Sequence, residues 1–284
     1  VGTVNVDNIE TVNLVSTDAP SDDTNEIQID AAGSGSASEV LNISGAGDTT
    51  VVATDSLTVN NSASGDVTLT PTVATTITHT GSGKLTTTTG VADVTATASG
   101  TGALFFTDSV AGNTTVTGSS GDDRFDFQGA LDTDDVVTGG TGTDTLVVLG
   151  DGVTSAAAGD ITVSGVETLE IDSDTNGDDL DFDVFATPSE ITSVVIDSLA
   201  DADSVTLTDT QASTFTVNNG TANTQEDIAV VVIDLKDATG SSDAVTINLN
   251  NKQSGDAGSQ DTFQVTTGIT ANSIETINLN TSFV

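Results

Sequence analysis

Short β-branched runs of alternating character recur along the chain. "SLTVNN", "DVTLTP", "TTITHT", "KLTTTT", "DVTATA", "ALFFTD", "TTVTGS", "DRFDFQ", "DVVTGG" and "DTLVVLG" follow one another between residues 56 and 150, with centres about 8 to 11 residues apart. Each run is too short for a helix, is rich in Val, Ile, Leu, Thr and Phe, and is bounded by Gly, Asp, Asn or Ser, which is how strands and turns read. No segment keeps a helical spacing of apolar residues over three turns. The pattern predicts an all-β chain.

Regular spacing of this kind also suits a β-sandwich array or an antiparallel barrel. The strands, however, resemble one another, and hairpin signals such as Asn-Gly are scarce, which favours a parallel β-solenoid of the β-roll or β-helix kind. Each coil would hold two or three short strands in about 18 to 30 residues and pair in parallel with the next; the sandwich array stays as the alternative. A coarser repeat overlies this one. "NIETVNLVS" at 8–16, "GVETLEIDS" at 165–173 and "SIETINLNT" at 273–281 share the order apolar, Glu, Thr, apolar, polar, apolar. Reading each copy as the start of a solenoid segment gives soft boundaries near residues 160 and 270, hence two continuous segments, 1–160 and 161–284.

Charge changes the picture more than composition does. The 284 residues carry 43 Asp plus Glu against 4 Lys plus Arg, for a formal net charge of -39. Such a charge often marks disorder, but 35% apolar residues and 28 Gly are enough for a core that uses them economically. Lys84, Arg124, Lys236 and Lys252 are scattered and form no basic patch, so nucleic acid is excluded as a partner. There is no Cys and His79 is the only histidine, which rules out disulfides and Cys/His zinc sites. Stability is left to packing, backbone pairing and hard cations. No run of apolar residues reaches membrane-spanning length. The chain opens on "VGTVNVDN" with no signal peptide, and reads as a piece of a larger protein.

Two glycine and aspartate clusters carry the candidate chemistry. Residues 139–147, "GGTGTDTLV", fit the calcium-binding nonapeptide G-G-x-G-x-D-x-U-x at Gly139, Gly140, Gly142, Asp144 and Leu146. Residues 118–126, "GSSGDDRFD", fit it at Gly118, Gly121, Asp123 and Phe125, with Ser119 replacing the second glycine and Ser120 at the free third position. Two nonapeptides complete a coil, so loops 21 residues apart would stack on one edge after a three-residue insertion. Glycine lets such a loop bend and turn its carbonyls inward, and the aspartate adds a carboxylate. Calcium takes six to eight oxygens at about 2.3–2.6 Å, so carbonyls and carboxylates of stacked loops can hold it. Leu146 and Phe125 are expected in the core. A third candidate is "DSDTNGDDLDFD", where Asp172, Asp174, Asn176 and Asp183 take ligand positions of an EF-hand-like loop flanked by strands. The acidic turns "DAPSDD" at 18–23 and "DSLADADSVTLTD" at 197–209 read first as solvated, with Asp22, Asp23, Asp201 and Asp203 as candidate calcium bridges between copies.

The nonapeptides, the "IETVNL"-like segments, the Thr/Ser/Asp/Gly-rich strands and the missing Cys together resemble RTX-type surface-layer (S-layer) proteins of Gram-negative bacteria. The resemblance is specific over 118–147 and compositional over most of the rest. It implies a secreted, calcium-loaded β-solenoid that leaves the cell by type I secretion and assembles with itself into a cell-surface lattice, with cell-surface polysaccharide as a further partner. Only two nonapeptides are present, and no C-terminal secretion signal is visible. The chain offers little to an enzyme: one His, four scattered cations, no Trp or Tyr, and no Gly-x-Ser-x-Gly elbow. His79, alternating with Thr in "TTITHT", reads as a strand surface residue. The alternative function is the calcium-rigidified stalk or binding module of a large secreted RTX adhesin.

Overall fold

The computed structural model describes residues 2–5, 10–17, 25–30, 40–54, 58–73, 76–149, 159–172, 178–199, 204–219, 227–236, 243–251, 264–272 and 274–283. The chain divides into two compact units, Val1–Thr145 and Leu146–Val284. In unit 1 the strands are β1 (Gly2–Asn5), β2 (Thr11–Ser16), β3 (Asn25–Asp30), β4 (Val40–Gly45), β5 (Thr49–Thr54), β6 (Thr58–Asn61) and β7 (Val67–Pro71). They continue as β8 (Thr76–His79), β9 (Leu85–Thr89), β10 (Val94–Ala98), β11 (Leu104–Asp108), β12 (Thr114–Thr117), β13 (Arg124–Gln128) and β14 (Val136–Thr138). Odd-numbered strands stack in one sheet and even-numbered strands in the other. Each strand is thus followed by one in the opposite sheet, and the chain returns to the first sheet one coil further on.

The pairing is parallel: Val67 lies beside Leu85, Leu85 beside Leu104, and Thr115 beside Val136, so the coils lengthen from 18 to 19 to 21 residues. This is a two-sheet parallel β-solenoid, and the parallel ladders exclude the antiparallel sandwich. The three-residue growth predicted between the two glycine and aspartate loops is taken up in the rims, since strand lengths hardly change.

Alternation sets the core. In β7 the residues Val67, Leu69 and Pro71 are buried while Thr68 and Thr70 are exposed, and β10 repeats this with Val94, Ala96 and Ala98 inside. Stacking in register then puts like on like. Phe106 lies beside Phe125 in the neighbouring coil, and its ring centroid is 6.2 Å from that of Phe127. Phe125 and Leu146 are fully buried, as their motif position predicts. Burying side chains of this size contributes roughly 1.5–3 kcal/mol each, which lets a strongly acidic chain close. On the outer face, Asn60 donates to Asn42 (2.9 Å) and Asn42 to Asn13 (2.8 Å), an amide ladder that ties three coils.

Unit 2 takes up the chain within β15 (Thr145–Leu149) and continues through β16 (Thr162–Ser164), β17 (Thr168–Asp172), β18 (Asp178–Asp181), β19 (Ser193–Leu199) and β20 (Ser204–Thr210). It ends with β21 (Thr214–Asn219), β22 (Asp227–Leu235), β23 (Ala244–Asn251), β24 (Gln264–Asn272) and β25 (Thr276–Phe283). One parallel sheet runs β17-β19-β21-β23-β25 and a second β18-β20-β22-β24. Its coils are longer: Thr168 pairs with Ser193, a step of 25, and Thr214 with Thr246, a step of 32. Two 3-10 turns, Phe182–Val184 and Pro188–Glu190, follow β18.

The three "IET"-type segments form β2, β17 and β25. At two of them the Glu carbonyl just before the strand starts the ladder to the next coil: Glu10 accepts from Val40 N–H, and Glu167 from Thr192 and Ser193 N–H, all at 3.0 Å. Among the described residues no helix is long and apolar enough to cross a membrane.

Candidate functional site

Aspartates stand just before strands at both rims of unit 1 and bind coil to coil. Asp48 Oδ1 accepts from Asp66 N–H and Asp66 Oδ1 from Lys84 N–H, both at 2.8 Å, while Asp93 Oδ1 accepts from Asn113 N–H at 3.1 Å. These three reach forward to the next coil and are exposed. Asp123, Asp135 and Asp144 instead reach back: their Oδ1 atoms accept from Leu104 N–H (2.5 Å), Thr114 N–H (2.8 Å) and Asp123 N–H (2.8 Å). All three of these are buried, at 2% exposure or less. Each satisfies a backbone donor that a strand start would otherwise leave open.

The two glycine and aspartate loops stack as their spacing predicts. Thr141 N–H donates to the Ser119 carbonyl (3.3 Å) and Thr145 N–H to that of Asp123 (2.9 Å). Glycine is required where it recurs. Gly140 has φ +115°, and a Cβ there would lie 2.3 Å from the Ser119 carbonyl; Gly142 has φ +134°, with the Gly121 carbonyl 2.5 Å from such a Cβ. Gly118 is buried beneath Gly139, whose carbonyl would lie 2.0 Å from an added Cβ. Ser120 sits exposed at the rim, its N–H on the Gly100 carbonyl.

The carboxylates point inward. Besides Leu104 N–H, Asp123 accepts from Ser119 N–H at 2.6 Å and from the Ser119 hydroxyl at 3.0 and 3.2 Å. Those three donors engage both of its oxygens, so Asp123 in this arrangement ties its own loop to the coil before it. Burial pushes its carboxyl above the ordinary range, and the Leu104 and Ser119 donors oppose that shift. Asp122, by contrast, is exposed, with Oδ1 on Thr143 N–H (2.8 Å), and stays on the solvent side of the same loop.

The opposite rim holds a second acidic group, in the "GALDTDDVV" turn that fits no motif. Asp108 and Asp135 are both buried and meet at Thr114, whose hydroxyl donates to Asp108 Oδ2 (2.6 Å) and whose N–H donates to Asp135. Burial, together with the neighbouring charges of Asp132 and Asp108, pushes the Asp135 carboxyl up to about 6. Folding therefore takes up a proton between about pH 4 and 6, and this group's contribution to stability falls as pH rises through that window. Asp108→Asn keeps an oxygen for Val110 N–H, which Asp108 Oδ1 now binds at 3.1 Å, turns the Thr114 hydroxyl from donor to acceptor of the new amide N–H, and removes one like charge. The variant is expected to melt higher than the parent at neutral pH by up to about 1 kcal/mol, with the gap closing near pH 4; paired thermal melts check it.

In unit 2 the side chains of Asp181, Asp183 and Asp209 each bring an oxygen within 4.8 Å of the others. Asp183 is the last ligand position of the candidate 172–183 loop, and it is also paired with Lys236 Nζ. Asp172 lies exposed at the end of β17 and is not in this group, while Asp174 and Asn176 lie outside the described residues. Asp209 comes from a stretch that reads as solvated; its carboxyl is pushed up by desolvation and by the charges of Asp183 and Asp181. Asp22, Asp23, Asp201 and Asp203 lie outside the described residues.

His79 corrects the sequence reading. It is not a surface residue but is buried at 1% exposure, because it shares parity with Ile77 and therefore faces inward. Comparison with models of known families, with curated proteins and with solved structures finds no match to this chain.

Proposed function

We propose that this chain is a non-enzymatic building block of a secreted, calcium-dependent cell-surface layer, in the manner of the RTX-type S-layer proteins that its nonapeptides resemble. The observation that carries the reading is the stacking of the 118–123 and 139–144 loops, coil on coil, in a chain of net charge -39. Copies so charged repel one another unless cations neutralise them. Among the described residues, exposed Asp122 at the nonapeptide rim and, in unit 2, exposed Asp181 with half-buried Asp183 and Asp209 offer carboxylate oxygens to a hard cation, Asp183 in competition with Lys236. Calcium, when bound, supplies neutralising charge and can accept oxygens from two chains at once; Asp123, Asp135 and Asp144 hold the coils.

The outer face of the even-numbered sheet in unit 1 supports assembly. Along β4 to β14 two ranks run in register, Val40, Thr58, Thr76, Thr95, Thr115 and Val136 beside Asn42, Asn60, Thr78, Thr97, Thr117 and Thr138. No charged side chain stands in either rank, so this face lets a second copy approach with least repulsion. Its hydroxyls and amides offer donors and acceptors to the copy opposite. Thr95→Asp combined with Thr115→Asp, exposed and side by side in the sheet, is expected to leave the circular-dichroism spectrum unchanged and to cost about 1 kcal/mol in the melt through their mutual repulsion, while weakening calcium-driven association at least several-fold in sedimentation velocity. Unchanged association would move the contact to another face.

A further inference from the structure

We propose that His79 and Asn61 form an acid-triggered latch inside unit 1, closed by the neutral imidazole and opened when the ring takes a proton at Nδ1. The orientation of Asn61 is fixed from outside the pair. Ala63 N–H donates to Asn61 Oδ1 at 3.0 Å, which leaves the amide nitrogen, Nδ2, facing the ring 3.2 Å from His79 Nδ1. An amide nitrogen only donates, so Nδ1 must offer its lone pair and the neutral ring must carry its proton at Nε2. The Nε2 atom is buried without a hydrogen-bond partner.

A proton added at Nδ1 then meets a donor. The ring would present N–H to the N–H of Asn61, and turning the Asn61 amide over would set its nitrogen against Ala63 N–H instead. Either way the conflict passes into the 62–65 turn, where Ser62 N–H holds the Ile43 carbonyl at 2.8 Å and Ser64 N–H that of Gly45 at 2.7 Å. These are coil-to-coil bonds, so protonating one core residue strains the stacking of β6 on β4.

The surroundings decide which form the ring prefers. β6 and β10, which flank β8, bring only Asn61 and Ala98 beside the ring, and β7 and β9 of the facing sheet carry no charge. The ionisable groups of the neighbouring elements are Asp66, Lys84, Asp93, Asp108, Asp122 and Asp123. Burial holds the His79 pKa below its ordinary value, outweighing the backbone groups of Asn61, Gly102 and Gly83 and, last, the charge of Asp123, which favour the charged ring. The unfolded chain therefore takes up the proton first. The latch's stability is fully present above the unfolded value, about 6.5, and is lost as pH falls from there toward the folded value.

Because His79 is the only histidine, its NMR signals can be followed in the intact chain without assignment. In the wild type the neutral ring is expected as the Nε2–H tautomer by nitrogen chemical shift, titrating below the ordinary histidine value, with the melting temperature falling as pH drops from 7 to 5. Asn61→Asp puts an acceptor before Nδ1 while keeping one for Ala63. In that variant the titration is expected to move above the ordinary value and the His79-linked acid loss to disappear. An Nδ1–H tautomer, a wild-type titration at or above the ordinary value, or an acid loss unchanged in Asn61→Asp would each overturn the latch; the first two need no variant to fold.

Discussion

In chelator, Asp123→Ala lowers the melting temperature of unit 1 sharply, whereas Asp122→Ala next to it leaves the melt nearly unchanged. Asp123 takes Leu104 N–H, Ser119 N–H and the Ser119 hydroxyl within a buried rim. Truncation strands those donors where water cannot replace the lost acceptor, at about 1–3 kcal/mol for each buried group left unsatisfied. Some of that is returned, because a carboxylate held against burial is also removed. A net loss of roughly 2–4 kcal/mol remains, a melting shift on the order of 10 °C for a unit of this size. Asp122 binds one N–H at the exposed rim, and its loss is expected to stay within about 1 kcal/mol. Thermal unfolding followed by circular dichroism separates the two; equal shifts would mean that the inward carboxylate does not hold the coils.

Calcium is expected to raise the stability of the whole chain steeply. A ligand that binds the folded state alone stabilises it by mass action, about 2.7 kcal/mol for each site held at a hundred times its dissociation constant. Neutralising part of a -39 charge adds to this by relieving self-repulsion. Magnesium should substitute poorly, since it demands octahedral geometry at about 2.0–2.1 Å and keeps its waters. Melts in calcium, magnesium and chelator at matched ionic strength test this. Coincident calcium and chelator melts would remove the ion from the account.

Much of the fold is legible because its rules are short-range. Strands such as "DVTLTP" and "DVTATA" announce themselves by parity, and their spacing gives the coil length. The stacking of the two nonapeptide loops follows from the same arithmetic. Which face a polar residue takes is legible too, when parity is applied to it: Ile77 places His79 inside, and overlooking that pairing puts the ring on the surface. The direction of a rim carboxylate is harder. Asp66 and Asp123 both precede a strand, yet one reaches forward in solvent and the other back into the coil. Ser119 N–H and hydroxyl hold the inward carboxylate from within its own loop, but the Leu104 N–H that it also takes lies one coil away, which no local pattern contains. The meeting of Asp108 with Asp135, and of Asp209 with Asp181 and Asp183, joins residues from different coils and has no signature at any fixed spacing.

The most direct measurement of the central claim is a calcium titration of the purified chain, read at once by circular dichroism, light scattering and electron microscopy. Ions that stabilise the coils bind one chain, whereas ions that join copies must first overcome repulsion between two polyanions. The layer reading predicts that folding saturates first, that ordered arrays appear at a higher, millimolar calcium concentration, and that chelator dissolves the arrays before it unfolds the chain. A chain that folds fully with calcium and stays monomeric at every concentration contradicts that reading and is what an adhesin stalk would do.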